Sequence, residues 1–283
     1  MKMMKNPIKT FILIHFLFGF DINEFPQNSY NLGNWNGGSV SSNIYQISNP
    51  ASLPLINNVS LSIINIPEGI SLQNMFISKN INNKLIKLHT TILHYGEFED
   101  FVTRNKFFAK DVQIGVSVKS AIENILSIGV QLSYINRNIE NYFSNLFIVK
   151  FGFRTHLLKK RLGLGLVINQ SYNFNEIKNG KHFLYGILYK PMYFPGEFTL
   201  DIKKTDEVKI ICSILVNINN YFDIVLGFTD DKFEFHTGST FENIYSGLGL
   251  GINIKLDNYK IGFGLRNIGQ YGTISGISLG YKF

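Results

Sequence analysis

The sequence predicts an all-β protein: a transmembrane antiparallel β-barrel of about 14 strands with an irregular N-terminal segment. Three observations carry this prediction. The last forty residues alternate strictly between apolar and small or polar side chains, the composition is poor in charge and rich in aromatics, and an export-type N-terminus is followed by no helix-length apolar run.

The alternation is clearest in residues 246–283. Leu248, Leu250, Ile252, Ile254 and Leu256 point one way, and Gly247, Gly249, Gly251, Asn253 and Lys255 the other. After the turn pair Asp257-Asn258, Tyr259, Ile261, Phe263 and Leu265 oppose Lys260, Gly262, Gly264 and Arg266. A third run sets Thr273, Ser275, Ile277, Leu279, Tyr281 and Phe283 against Ile274, Gly276, Ser278, Gly280 and Lys282. A period of two means strands with two unlike faces. The small polar face, the aromatics near strand ends and the terminal aromatic point to lipid on the apolar side, with Leu279, Tyr281 and Phe283 on a barrel-closing strand.

The 283 residues suit one barrel of about 14 strands of roughly 10 residues each plus turns. Charged residues make up 17%, below the roughly 25% of soluble domains, while aromatics reach 14%. The net charge of +7 is spread over turn segments such as Lys159-Lys160-Arg161 and Lys203-Lys204. With no helix or aromatic platform to form a binding stripe, nucleic acid is not an expected partner. The single Cys212, on the apolar face of a strand, excludes an internal disulfide.

Residues 1–20 read as a cleaved secretory signal. Lys2, Lys5 and Lys9 precede an apolar run over Phe11–Phe20 interrupted only by His15, too short to span a bilayer as a helix. Export followed by strands implies an outer-membrane location. Residues 21–57 are rich in Asn, Ser, Gly and Pro, and are expected to form an irregular segment that folds against or inside the barrel. Residues 58–283 form the barrel itself.

Strand-like runs follow one another from Val59 onward, including a hairpin from Asp111–Ser120 to Leu126–Tyr134. Their count is about 15, and a bacterial single-chain barrel has an even number. Short turns at Lys159-Lys160 and Asp257-Asn258 should also share one side, which that count does not give. The surplus run is expected between Pro191 and Tyr245, leaving about 14 strands.

The run Ile47-Ser48-Asn49-Pro50-Ala51-Ser52-Leu53-Pro54, preceded by a Gly-rich stretch soon after the signal, resembles the PorV/PorQ family and the wider FadL-like barrels. The stretch His94-Tyr95-Gly96-Glu97-Phe98 and the closing residues 259–283 are similar as well. The resemblance implies a Bacteroidetes-type barrel associated with type IX secretion, acting as a membrane anchor or cargo-binding component with protein partners besides outer-membrane lipid. It singles out Asn49, Pro50 and Ala51 as a candidate binding element. The short loops depart from the larger members and favour the anchor role.

No catalytic arrangement, metal set or cofactor motif emerges. Glu97, Glu99 and Asp100 form one small acidic cluster and Asp230, Asp231 and Glu234 another, both read as solvated loop charge. His89 and His94, five apart on a strand, point to opposite faces. Gly247, Gly249 and Gly251 precede no helix and read as a glycine-lined lumen face, not a phosphate loop. Two functions compete: the non-enzymatic secretion or attachment barrel, and a FadL-like channel for hydrophobic small molecules. The Gly, Ser, Asn, Lys and Gln on the inward faces weigh against a greasy lumen, and residues 30–54 are expected to plug or line it.

Overall fold

The two-residue period is realised as fourteen strands closed into one antiparallel barrel. The computed structural model describes residues 22, 25–41, 48–99, 106–122, 125–139, 142–173, 180–205, 207–229, 247–269 and 272–283. The strands are β1 (Asn58–Ile66), β2 (Ile70–Ile81), β3 (Lys84–Glu99), β4 (Lys106–Ile122), β5 (Leu126–Ile139), β6 (Tyr142–Leu157) and β7 (Leu162–Asn173). The second half comprises β8 (Gly180–Tyr189), β9 (Gly196–Lys204), β10 (Val208–Asn217), β11 (Phe222–Thr229), β12 (Leu248–Leu256), β13 (Tyr259–Asn267) and β14 (Thr273–Lys282). Each pairs with its sequence neighbour, and β1 pairs with β14 from Asn58↔Lys282 to Asn65↔Ser275. Closure leaves no unpaired edge, which a sheet surrounded by hydrocarbon requires.

The fifteenth run is corrected by the pairing. β11 bonds directly to β12, from Phe222↔Ile254 to Phe228↔Leu248, so the surplus run falls in residues 230–246, outside the described residues. The conflict over turns disappears with it. The even-to-odd connections, among them Asn82-Asn83, residues 158–161 and Asp257-Asn258, all lie at one end with the start of β1 and the end of β14. Asn82 and Asn83, with φ of 49° and 62°, make the two-residue connection that matches strand twist. We call this the turn end and the opposite one the loop end.

The outward face is apolar throughout the middle of the barrel: Leu61, Ile114, Phe151, Phe263 and Ile277 are all exposed. Aromatics ring both margins. Tyr189, Tyr221, Tyr259 and Phe283 mark the turn end, and Phe108, Phe143 and Tyr172 the loop end. Leu279 lies on the outward face of β14, and the Tyr281 ring packs 4.9 Å from Tyr259 and 6.4 Å from Phe283. Two girdles bounding an apolar band are the mark of a barrel that spans a membrane. Cys212 is also exposed. Among the described residues, no helix is long and apolar enough to cross a bilayer.

The apolar band carries a direct prediction. Ile277, 54% exposed at mid-strand between Ile63 and Phe263, faces hydrocarbon. Ile277→Arg is expected to destabilise the folded barrel by about 2–4 kcal/mol, measured by denaturant titration in lipid vesicles.

Candidate functional site

The site is the lumen, where the N-terminal residues meet the inward faces of nearly every strand. Two short ordered turns shape those residues. Asn28 caps helix α1 (Ser29–Gly33) by accepting the Asn31 N–H at 2.9 Å, and Asn49 caps a 3-10 turn over Pro50–Ser52 by accepting the Ala51 N–H at 2.8 Å. Asn is a strong N-cap because its side-chain oxygen satisfies a backbone donor that the helix leaves free. Pro50, as first residue of its turn, has no N–H to satisfy.

Glycines on the inward faces let the segment come against bare backbone. A side chain at Gly249 or Gly264 would overlap the backbone of α1, and one at Gly227 the Gly33 carbonyl. On the opposite wall, Gly129 faces Pro50 and Ala51, Gly152 faces the Asn49 amide, and Gly165 and Gly186 face Ser39. The glycine lumen face read from β12 thus has a specific use: it is the bed of a helix. Asn49, Pro50 and Ala51 are fully buried between β5 and β6.

Polar side chains of the wall then fasten the segment. The Asp201 carboxylate on β9 accepts the Gly38 N–H at 2.6 Å, the Ser39 N–H at 3.0 Å and the Ser39 hydroxyl at 2.5 Å. Four residues earlier on the same inward face, Glu197 accepts the Ser41 hydroxyl at 2.5 Å, and its other oxygen meets Lys190 Nζ at 2.9 Å. Arg266 on β13 donates to the Asn31 carbonyl and stacks 4.4 Å from the Trp35 ring centroid. Lys119 donates to the Leu53 carbonyl at 2.5 Å, and the Asn49 amide donates to the carbonyls of Ser39 at 2.5 Å and Phe153 at 3.2 Å. Ser278 accepts the Ser29 N–H at 2.9 Å. Each bond satisfies a polar group taken out of water, which otherwise costs about 1–3 kcal/mol.

Above α1 the lumen changes character. The inward residues of β1 are Asn58, Ser60 and Ser62 toward the turn end, then Ile64 and Ile66 toward the loop end. Ile70 and Leu72 lie nearest the loop end on β2, and Leu93 and Tyr95 on β3, although Phe76 and Leu85 add apolar positions nearer the turn end. Ile135, Ile148, Ile268 and Ile274 extend this apolar lining, and Phe25, Leu32 and Trp35 of the segment pack against it. The lumen therefore has a packed apolar core toward the loop end, where the inward faces are otherwise polar. The long strands β3–β6 carry its wall outward through Phe98, Ile139 and Leu146. Beside it, Asp111 is held by Tyr95 at 3.0 Å and by both Nε and Nη2 of Arg137.

Two cavities flank the segment. One of about 80 Å³ lies in the lumen between Phe25, Asn31, Lys150, Asn169, His182 and Lys203. A shallow outer trough of about 700 Å³ crosses β12–β14 and β1, lined by Leu61, Ile63, Phe263, Leu265, Ile277 and Leu279. Its lining faces lipid, so its size does not make it the functional site.

Of the other candidates, His89 is buried in the lumen and His94 lies on the outward face of β3. Glu97 pairs with Lys106 at 2.5 Å. The Glu99 side chain and Asp100, the cluster of Asp230, Asp231 and Glu234, and residues 1–20, which the sequence reads as a signal, lie outside the described residues. Among the described residues no group of His, Cys, Asp and Glu could hold a metal ion.

No family model matches the chain, and no curated protein matches it in sequence. Solved structures do resemble it in shape. A Pseudomonas aeruginosa FadL homologue aligns with a TM-score of 0.56 at 9% identity, covering 91% of this chain and 98% of its own. The Pseudomonas putida toluene transporter TodX aligns at 0.51 with 10% identity, covering 93% and 98%. A TodX variant, described as a monoaromatic hydrocarbon channel, gives 0.55 at 10% identity, with 93% and 99% covered. The likeness is one of fold.

The fastening makes its own prediction. Asp201→Ala leaves two buried backbone N–H groups and a hydroxyl without their acceptor, and should weaken docking of residues 37–41 by about 1–3 kcal/mol. Hydrogen exchange should show faster exchange at Gly38 and Ser39 with the strand amides unchanged.

Proposed function

We propose that the protein is a non-enzymatic outer-membrane channel for hydrophobic small molecules, closed by its N-terminal segment. The observation that carries this reading is the apolar lining of the lumen toward the loop end, packed against Phe25, Leu32 and Trp35 of that segment. A lumen that passed water-soluble solutes would place polar side chains there. An apolar lining on the long-loop side, covered by a segment that can give way to a ligand, suits capture of an apolar solute before release inward. In this reading the turn end is periplasmic, since outer-membrane barrels have short periplasmic turns and longer extracellular loops. The shape likeness to TodX and to a FadL homologue supports the same choice.

The secretion or attachment role implied by the PorV/PorQ resemblance has weaker support. Its motif, Asn49-Pro50-Ala51, is buried against Gly129 and Gly152, where it positions the segment and offers no surface to a partner. We assign it a structural role within the closed channel.

Cells or proteoliposomes carrying the full chain should take up a small aromatic hydrocarbon faster than those lacking it. Ile148→Gln, which puts a polar amide into the apolar lining of the lumen while leaving the outer wall untouched, should lower that uptake several-fold. Uptake unaffected by the chain, together with co-purification of secretion-complex proteins, would favour the other role.

A further inference from the structure

The turn joining β6 to β7 is built unlike the other hairpins. Leu158, Lys159 and Lys160 all have positive φ, at 50°, 54° and 70°, a conformation that L residues adopt rarely and normally singly. Such outliers persist where the surroundings hold them, and they gather at binding sites. Here the Arg161 N–H donates to the Leu158 carbonyl at 3.2 Å, and the Lys190 N–H donates to the Arg161 carbonyl at 2.8 Å, tying the turn to the β8–β9 connection.

The result is a fixed display of three consecutive exposed cations, Lys159, Lys160 and Arg161. Leu158 beside them is 70% exposed, and Tyr193 on the neighbouring connection is 93% exposed, with Met192 also bare. Leu157 continues the outward stripe of Phe151 and Phe153 on β6 down to the turn. Phe151, Phe153, Leu157 and Leu158 thus lead from the lipid-facing wall to the cations, with Thr155 the one polar position on that face. Lys190 is already paired with Glu197, so the three turn residues carry the patch.

We propose that this turn is a binding site for the head group of an anionic phospholipid in the leaflet next to the turn end. The stripe of Phe153, Leu157 and Leu158 accompanies the acyl chains, and the three cations meet the negatively charged head-group phosphate. An acidic protein would satisfy the charges but not the adjoining apolar side chains, which already lie in hydrocarbon. The proposal rests on the membrane orientation given above, but not on what the channel carries.

The test uses the full chain, purified in detergent and stripped of lipid, with phosphatidylglycerol and phosphatidylcholine titrated and bound lipid read by native mass spectrometry. Phosphatidylglycerol should bind more tightly than phosphatidylcholine. Each cation near an anionic surface is worth about a fivefold change in affinity, so the triple variant Lys159→Ser, Lys160→Ser, Arg161→Ser should bind on the order of 100-fold more weakly. A loop-end control, Lys181→Ser with Lys204→Ser, should bind as the parent does. If the triple variant does not fold, Arg161→Ser alone should show roughly a fivefold loss. Equal binding of the two lipids, or equal loss in the loop-end control, would overturn the proposal. Thiol labelling of Lys160→Cys from the periplasmic side tests the orientation separately, and unchanged hydrocarbon uptake by the triple variant separates the lipid site from the transport reading.

Discussion

An eight-stranded barrel is just filled by its own inward side chains, and a fourteen-stranded one encloses more space than they can fill. This protein meets that constraint with its own N-terminal residues. They can lie against the wall because the inward faces of β11–β14 and β5–β8 are repeatedly glycine, so backbone meets backbone at Gly249, Gly264 and Gly129. Close approach takes polar groups out of water on both sides. Asp201, Glu197, Arg266, Lys119 and Ser278 supply the missing partners at the points where the segment touches the wall.

That arrangement sets how much could be read from the chain. Closing strands β12–β14 were fully legible because their outward residues meet lipid and their inward ones are small, giving an unbroken period of two. The glycine face was legible as well, but not its use, since the helix it supports is only five residues long and carries no amphipathic signature. Asp201 and Glu197 were hidden for a simpler reason. Single carboxylates at inward positions of an ordinary strand look like lumen charge, and attention goes instead to acidic clusters in loops. The apolar lining of the lumen is hard to read because its residues break the alternation. Ile63-Ile64, Ile92-Leu93, Tyr134-Ile135 and Phe147-Ile148 each put two apolar residues side by side, one facing lipid and one facing the lumen. Such doublets near the loop end of consecutive strands were the available signal.

Two kinds of contact hold the segment in place. Polar side chains, from Glu197 and Lys119 toward the turn end to Arg266 near the loop end, grip the segment, and each bond is local and directional. Toward the loop end, Phe25, Leu32 and Trp35 contact the wall through non-directional apolar packing, which an apolar solute can replace at little cost. Trp35 touches both regimes, lying in the apolar cluster while its ring faces Arg266. In the proposed channel, a solute entering from the loop end would compete first with these apolar contacts of α1, and displacement of α1 would uncover the glycine bed behind it.

In the proposed channel, passage of a solute requires α1 to leave that bed, and this can be blocked chemically. Ser29 N lies 2.9 Å from Ser278 Oγ, and Ser278 is the cross-strand neighbour of Gly262, against which the Ser29 side chain rests. Cysteines at positions 29 and 278, in a Cys212→Ser background, should therefore form a disulfide that pins α1 to β13 and β14. Hydrocarbon uptake into proteoliposomes should fall to the level of empty vesicles when the pair is oxidised and return on reduction. Equal uptake in the oxidised and reduced states would contradict the account.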